Sequence, residues 1–226
     1  MQYQIFGGNL PAVTVRCEAG ESLFTQSGGM TWMTDGFRMD TNMKGGFMKG
    51  LGRMLSGESL FMATYTAERP ASEITFASSF PGTIIALTLD GTQSYICQKS
   101  AFLCATAGVE LSASVNQVKA GFFGGEGFIM QRISGHGIAF LELDGTVVEK
   151  QLQPGEILKV DTGNIAAYSD NVTYSAEMVK GFANILFGGE GLFLSTLRGP
   201  GKVYLQTINM PEFASRIIPF IPTKTN

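Results

Sequence analysis

Apolar and polar residues alternate along most of the chain with a period of two, the pattern of half-buried strands whose successive side chains point to opposite faces of a sheet. Val109-Glu110-Leu111-Ser112-Ala113 and Val172-Thr173-Tyr174-Ser175-Ala176 are examples, each bounded by turn residues. A helical period is confined to two places. Residues 44–55 put Phe47, Met48, Leu51, Met54 and Leu55 on one helical face, with Lys49 and Arg53 four apart on another. Gly50 and Gly52 weaken that helix by about 1 kcal/mol each. Beyond Met210, Pro211 suits a first helical turn, and Pro219 and Pro222 stop the run that follows Arg216. The pattern predicts an all-β chain with a short helix near 47–55 and a short C-terminal helix.

The strand pattern recurs. A Gly-Glu signature appears at Gly57-Glu58, Gly125-Glu126 and Gly189-Glu190, at intervals of 68 and 64 residues, and each copy leads into an apolar strand beginning near Leu60, Phe128 and Leu192. Gly135-His136-Gly137 and Gly199-Pro200-Gly201 follow at matching offsets, each predicting a hairpin turn. Ala19-Gly20, Pro81-Gly82 and Pro154-Gly155 open a second landmark. The third comprises Met30-Thr31-Trp32-Met33, Ala101-Phe102-Leu103-Cys104 and Ile165-Ala166-Ala167-Tyr168. These landmarks predict three tandem antiparallel β repeats, about 1–79, 80–151 and 152–226, in one compact body. One unit alone would leave open sheet edges and an unburied face, so the expected packing is a pseudo-threefold barrel or ring.

Gly29-Met30 with Met33, the stretch from Gly45-Gly46 to Glu58-Ser59, both Phe-Gly-Gly-Glu-Gly motifs, and Gly-Pro-Gly before Val203-Tyr204-Leu205-Gln206-Thr207 are carried together. In that combination, over nearly its whole length, the chain resembles the altered inheritance of mitochondria (member twenty-four) family. The resemblance implies three units like the subunit of the tryptophan-sensing RNA-binding attenuation protein, in a pseudo-threefold ring. It implies no catalytic residues. Mitochondrial members are associated with inner-membrane organisation, which the resemblance suggests as a scaffold role.

Composition narrows the function. Charged residues are 15% of the chain and apolar residues 44%, against a usual charged share of about a quarter, so little of the surface is defended by charge and a homo-oligomer, trimer or larger, is expected. The net charge of −3 gives no general attraction to nucleic acid. Cys17, Cys97 and Cys104 sit among apolar neighbours without metal-ligand or redox spacing, as reduced thiols of a cytoplasmic protein do. The N-terminus lacks the basic and apolar regions of a signal peptide. His136 is the sole histidine, too few for an imidazole-rich catalytic metal site, and it is expected to be exposed in its turn. The Gly-rich signatures precede strands and lack a Lys-Ser/Thr ending, so they are not phosphate-binding P-loops.

Two candidate sites remain. Glu58, Glu126 and Glu190 recur in all three signatures, either closing turns or forming a carboxylate site for a cation or a basic partner. Phe47, Met48, Lys49, Leu51, Arg53 and Met54 form a segment that either packs on the barrel or meets a membrane surface or partner groove. The sequence is read as a non-catalytic oligomeric scaffold or binding protein without cofactor or metal, with an RNA-binding regulator and a carboxylate-only enzyme as the alternatives.

Overall fold

The computed structural model describes residues 1–26, 28–41, 62–113, 129–178 and 193–222. Its first stretch holds β1 (Gln2–Phe6), β2 (Ala12–Cys17), β3 (Ser22–Gln26), β4 (Met30–Met33), β5 (Phe37–Asp40), β6 (Met62–Ala67) and β7 (Ser72–Ala77). The middle stretch holds β8 (Gly82–Asp90), β9 (Tyr95–Gln98), β10 (Phe102–Thr106), β11 (Val109–Ala113) and the long β12 (Met130–Asp144). The last holds β13 (Val147–Leu152), β14 (Ile157–Asp161), β15 (Ile165–Ser169), β16 (Thr173–Met178), β17 (Phe193–Arg198), β18 (Gly201–Gln206) and the helix α1 (Met210–Ile217). The chain is mostly β, as its alternation predicts, and every strand pair among the described residues is antiparallel.

Corresponding strands pair in the same order in each stretch. In the first, β7 lies between β2 and β4, and β6 between β3 and β5. In the last, β18 lies between β13 and β15, and β17 between β14 and β16. In the middle, β12 does both jobs: its C-terminal half lies between β8 and β10, and its N-terminal half between β9 and β11. A register shift falls at the same place in all three, between Met30 and Trp32, Phe102 and Cys104, and Ile165 and Ala167. This shift aligns Phe102 with Met30 and Ile165, correcting by one residue the landmark that began at Ala101.

The predicted hairpins do not form. β12 runs unbroken through Gly135-His136-Gly137, while β17 and β18 pair with other strands on either side of the Gly199-Pro200-Gly201 triplet. The triplets are corners, where the chain passes from one set of strands to another. Gly137 has φ +139°, and a Cβ there would run into Thr106 Oγ1. A corner this tight accepts no side chain.

A second turn also differs from its predicted landmark. Gly20 and Gly155, with φ +89° and +79°, lead into β3 and β14. The corresponding connection before β9 is Asp90-Gly91, with Gly91 at φ +85°, whereas Pro81-Gly82 opens β8. An acidic side chain closes each connection: Glu21 accepts the Glu18 N–H at 2.8 Å, Asp90 the Thr92 N–H at 2.9 Å and Glu156 the Gln153 N–H at 2.7 Å.

Two joints fuse the stretches. β10 of the middle pairs with β3 of the first, and β15 of the last with β9 of the middle, building an 11-stranded sheet whose path runs β13-β18-β15-β9-β12-β10-β3-β6-β5, with β8 and β11 also paired to β12. The cores interpenetrate accordingly. Phe24 and Tyr204 enter the middle cluster around Ile133 and Leu141; Leu103 and Phe140 enter the first, around Ile74 and Phe76; Ile96 and Met130 enter the last, around Tyr168 and Leu197. Each such side chain contributes about 1.5–3 kcal/mol on burial, so each stretch completes its core with side chains from a neighbour. Among the described residues β4 pairs only with β7 and β14 only with β17. These two strands lie in different sheets and do not pair with each other.

The C-terminal helix forms as predicted. The Asn209 side chain caps it by accepting the Glu212 N–H at 2.9 Å, and Phe213 packs edge to face on Phe80 at 4.9 Å. No helix among the described residues is long and apolar enough to cross a membrane.

Candidate functional site

The repeated carboxylates Glu58, Glu126 and Glu190, and the segment with Phe47, Met48, Lys49, Leu51, Arg53 and Met54, lie outside the described residues, as does the helix predicted near 47–55. The strands that bracket them are described. Each signature segment links the two strands of a corresponding pair: β5 and β6, which face each other at Asp40 and Thr64; β11 and β12, at Ala113 and Gln131; and β16 and β17, at Met178 and Phe193. The neighbouring strands β3, β9 and β14 end beside these points, with Gln26 opposite Met62, Gln98 opposite Met130 and Asp161 opposite Leu194.

Amides and hydroxyls line this end. Gln98 Nε2 donates to the Ile165 carbonyl at 2.7 Å, Gln26 Nε2 donates to Gln131 Oε1 at 3.3 Å, and Gln131 Nε2 donates to the Lys99 carbonyl at 3.3 Å. In the last stretch the buried Thr162 and Ser195 hydroxyls share a hydrogen bond of 2.8 Å, and Ser195 Oγ also donates to the Tyr174 hydroxyl at 3.1 Å. Burial raises the Asp161 carboxyl above its ordinary value, opposed by the Gly163 N–H it accepts and helped by the charge of Glu212. These bonds tie the ends of β3, β9 and β14 to the bases of the signature segments.

Elsewhere, Glu142 Oε2 accepts the Ser79 N–H at 2.6 Å and the Ser78 and Ser79 hydroxyls at 2.9 and 3.0 Å, fastening the 78–81 loop to β12. Two residues along that strand, burial and then the Glu142 charge push the Asp144 carboxyl up to about 6. Sequence reading missed this pair, because Leu141-Glu142-Leu143-Asp144 has the plain alternation of any half-exposed strand. Arg132 binds Asp170 at 2.6 Å and the Ser94 hydroxyl at 3.0 Å, and Lys202 binds Glu149 at 2.7 Å. Both ion pairs are partly exposed and worth little individually.

The three thiols are buried, which pushes Cys17 up to about 11, Cys97 to about 12 and Cys104 well above its ordinary value, so none is a thiolate at neutral pH. His136 is exposed as expected but sits within β12, where its backbone N–H donates to the Gly108 carbonyl at 2.9 Å. Among the described residues no three His, Cys, Asp or Glu side chains gather as metal ligands would. The larger features are apolar: Trp32 is 54% exposed on β4, Ile157 49% on β14, and Phe220 84% beyond α1.

The model of the family described as mitochondrial biogenesis AIM24 matches residues 3–208. The chain belongs to the AIM24 family. An uncharacterized protein of Streptococcus pyogenes serotype M6 is 29% identical over 225 residues, covering 96% of this chain and 89% of the relative. An X-ray crystal structure of a Streptococcus pyogenes protein is similar with a TM-score of 0.78 and 26% identity, over 97% of this chain and 99% of that one. The AIM24 likeness thus spans all three stretches, and neither relative's name states an activity or a ligand.

Proposed function

We propose that this AIM24-family chain is a non-catalytic, oligomer-forming cytoplasmic scaffold, built from three tandem copies of one β unit in a pseudo-threefold arrangement, that presents its signature segments to a protein or membrane-surface partner. The observation that carries the reading is the common base of those segments: each joins the strands of a corresponding pair, β5–β6, β11–β12 or β16–β17. Three like attachments, two on the 11-stranded sheet and one on the three-stranded sheet β14-β17-β16, suit multivalent capture, in which individually weak contacts add as avidity. The shared pairing order and register shift support triplication of a unit like the attenuation protein subunit. The 44–55 segment, with Lys44, Lys49 and Arg53 beside its apolar stripe, is the element proposed to meet an anionic surface. Glu58, Glu126 and Glu190 are proposed as the matching carboxylates of the three segments.

Liposome flotation tests the surface contact. The reading expects the protein to float with anionic vesicles and a Lys49→Glu/Arg53→Glu variant to sink; absence of binding to both anionic and neutral vesicles overturns membrane contact. Light scattering tests the assembly, and a monomer at every concentration overturns it.

A further inference from the structure

We infer that β4 of one copy pairs antiparallel with β14 of the next, so that copies of this chain join head to tail through a third joint of the kind that occurs twice within it. The inference rests on the three-unit reading above. It begins with the two internal joints, which share one register. Cys104 faces Thr25, Ala105 faces Phe24 and Thr106 faces Leu23 where β10 meets β3. Ala167 faces Cys97, Tyr168 faces Ile96 and Ser169 faces Tyr95 where β15 meets β9. The strand following the register shift in one stretch therefore adds to the strand following the glycine turn in the stretch before it.

β4 and β14 are the remaining members of these two sets. Every residue facing across the two internal joints is buried except the half-buried Thr106. On β4, by contrast, Thr31, Trp32 and Met33 are exposed, and on β14 Ile157, Lys159 and Asp161 are. An unpaired strand edge with apolar side chains is a template for pairing with another chain. The same register transferred to β4 and β14 sets Trp32 opposite Val160, Met33 opposite Lys159 and Thr34 opposite Leu158. The only charge in those pairs is the Lys159 ammonium, so no like charges oppose each other. Because different strands meet, the contact is heterologous: it closes into a ring of copies if the rotation permits and otherwise continues as a chain.

Disulfide trapping tests the joint, and the native thiols do not compete because all three are buried. Trp32→Cys and Val160→Cys variants of the full chain are mixed and mildly oxidised. The expected product is a covalent dimer that neither variant gives alone, with a ladder of multimers from the double variant. A double variant that yields only an internally cross-linked monomer overturns the inference, because β4 and β14 then close on each other within one chain. Absence of any cross-link in a protein that light scattering finds oligomeric also overturns it while leaving the scaffold reading standing; absence of a cross-link in a strict monomer overturns both. If a cysteine variant misfolds, charge provides the second route. Met33→Lys, placed opposite Lys159, is expected to raise the dissociation constant about fivefold, and adding Lys159→Glu to restore it. An unchanged dissociation constant in Met33→Lys overturns the inference.

Discussion

Strands β10 and β4 hold corresponding places in neighbouring stretches and carry the same kind of register shift, yet Phe102 to Ala105 are buried while Thr31, Trp32 and Met33 are exposed. The exposed strand has the larger apolar side chains. Hydrophobicity therefore does not set the burial of these strands; the presence of a next stretch does. β10 has β3 beyond it, whereas β4 is the last strand of its sheet among the described residues. The middle stretch is covered on both sides, and each outer stretch ends in an edge that pairs with no further strand among the described residues.

A matched pair of substitutions gives the largest test of that difference. Ala105→Asp places a carboxylate at a fully buried position of the β10–β3 joint and is expected to cost about 3–5 kcal/mol in urea unfolding, through desolvation without a partner. Met33→Asp at the corresponding position of β4 is expected to cost less than about 1 kcal/mol at protein concentrations too low for assembly. Equal costs would break the comparison.

Two glycines sharpen it further. Gly137→Ala combines a positive φ with a clash against Thr106 and is expected to cost about 2–3 kcal/mol. Gly155→Ala in the last stretch has a positive φ but nothing within 4 Å of the new Cβ, so about 1 kcal/mol is expected.

The smallest effect is a pH dependence at the end of β12. The Asp144 carboxyl, raised from 3.8 to about 6, holds its proton more tightly in the folded chain than in the unfolded one. Its contribution is therefore most favourable below about pH 4, declines as the pH rises to about 6 and is lost above that. Asp144→Asn is expected to flatten this decline and to stabilise the protein at pH 7 by about 1 kcal/mol, after allowing for the water that screens a half-buried group. Urea titrations at pH 4.5 and 7 measure it.

Much of the fold was legible because its signals are local. The 68- and 64-residue intervals of the signatures also separate Tyr65, Ile133 and Leu197, which hold matching places in the registers of β6, β12 and β17. Where reading failed, the local signal was ambiguous. Gly-X-Gly between two apolar runs suits a corner as well as a hairpin, and only the partner strands decide between them. Phe102-Leu103-Cys104-Ala105 is buried on both faces, so it has no alternation from which to take a register. Pro81-Gly82 is a good turn in any context, which concealed Asp90-Gly91 as the true counterpart of Gly20 and Gly155. Of the candidate site, the anchoring strands were legible. The edges of β4 and β14 were not, since Met30-Thr31-Trp32-Met33 has the composition of an interior strand.

Amide hydrogen exchange across a dilution series tests the central claim most directly. The amides of β10 and β3 should remain protected at every concentration, while those of β4 and β14 should be protected in the concentrated protein and lose protection together on dilution. Protection of β4 and β14 that does not change with concentration, or changes in one strand without the other, would contradict the account.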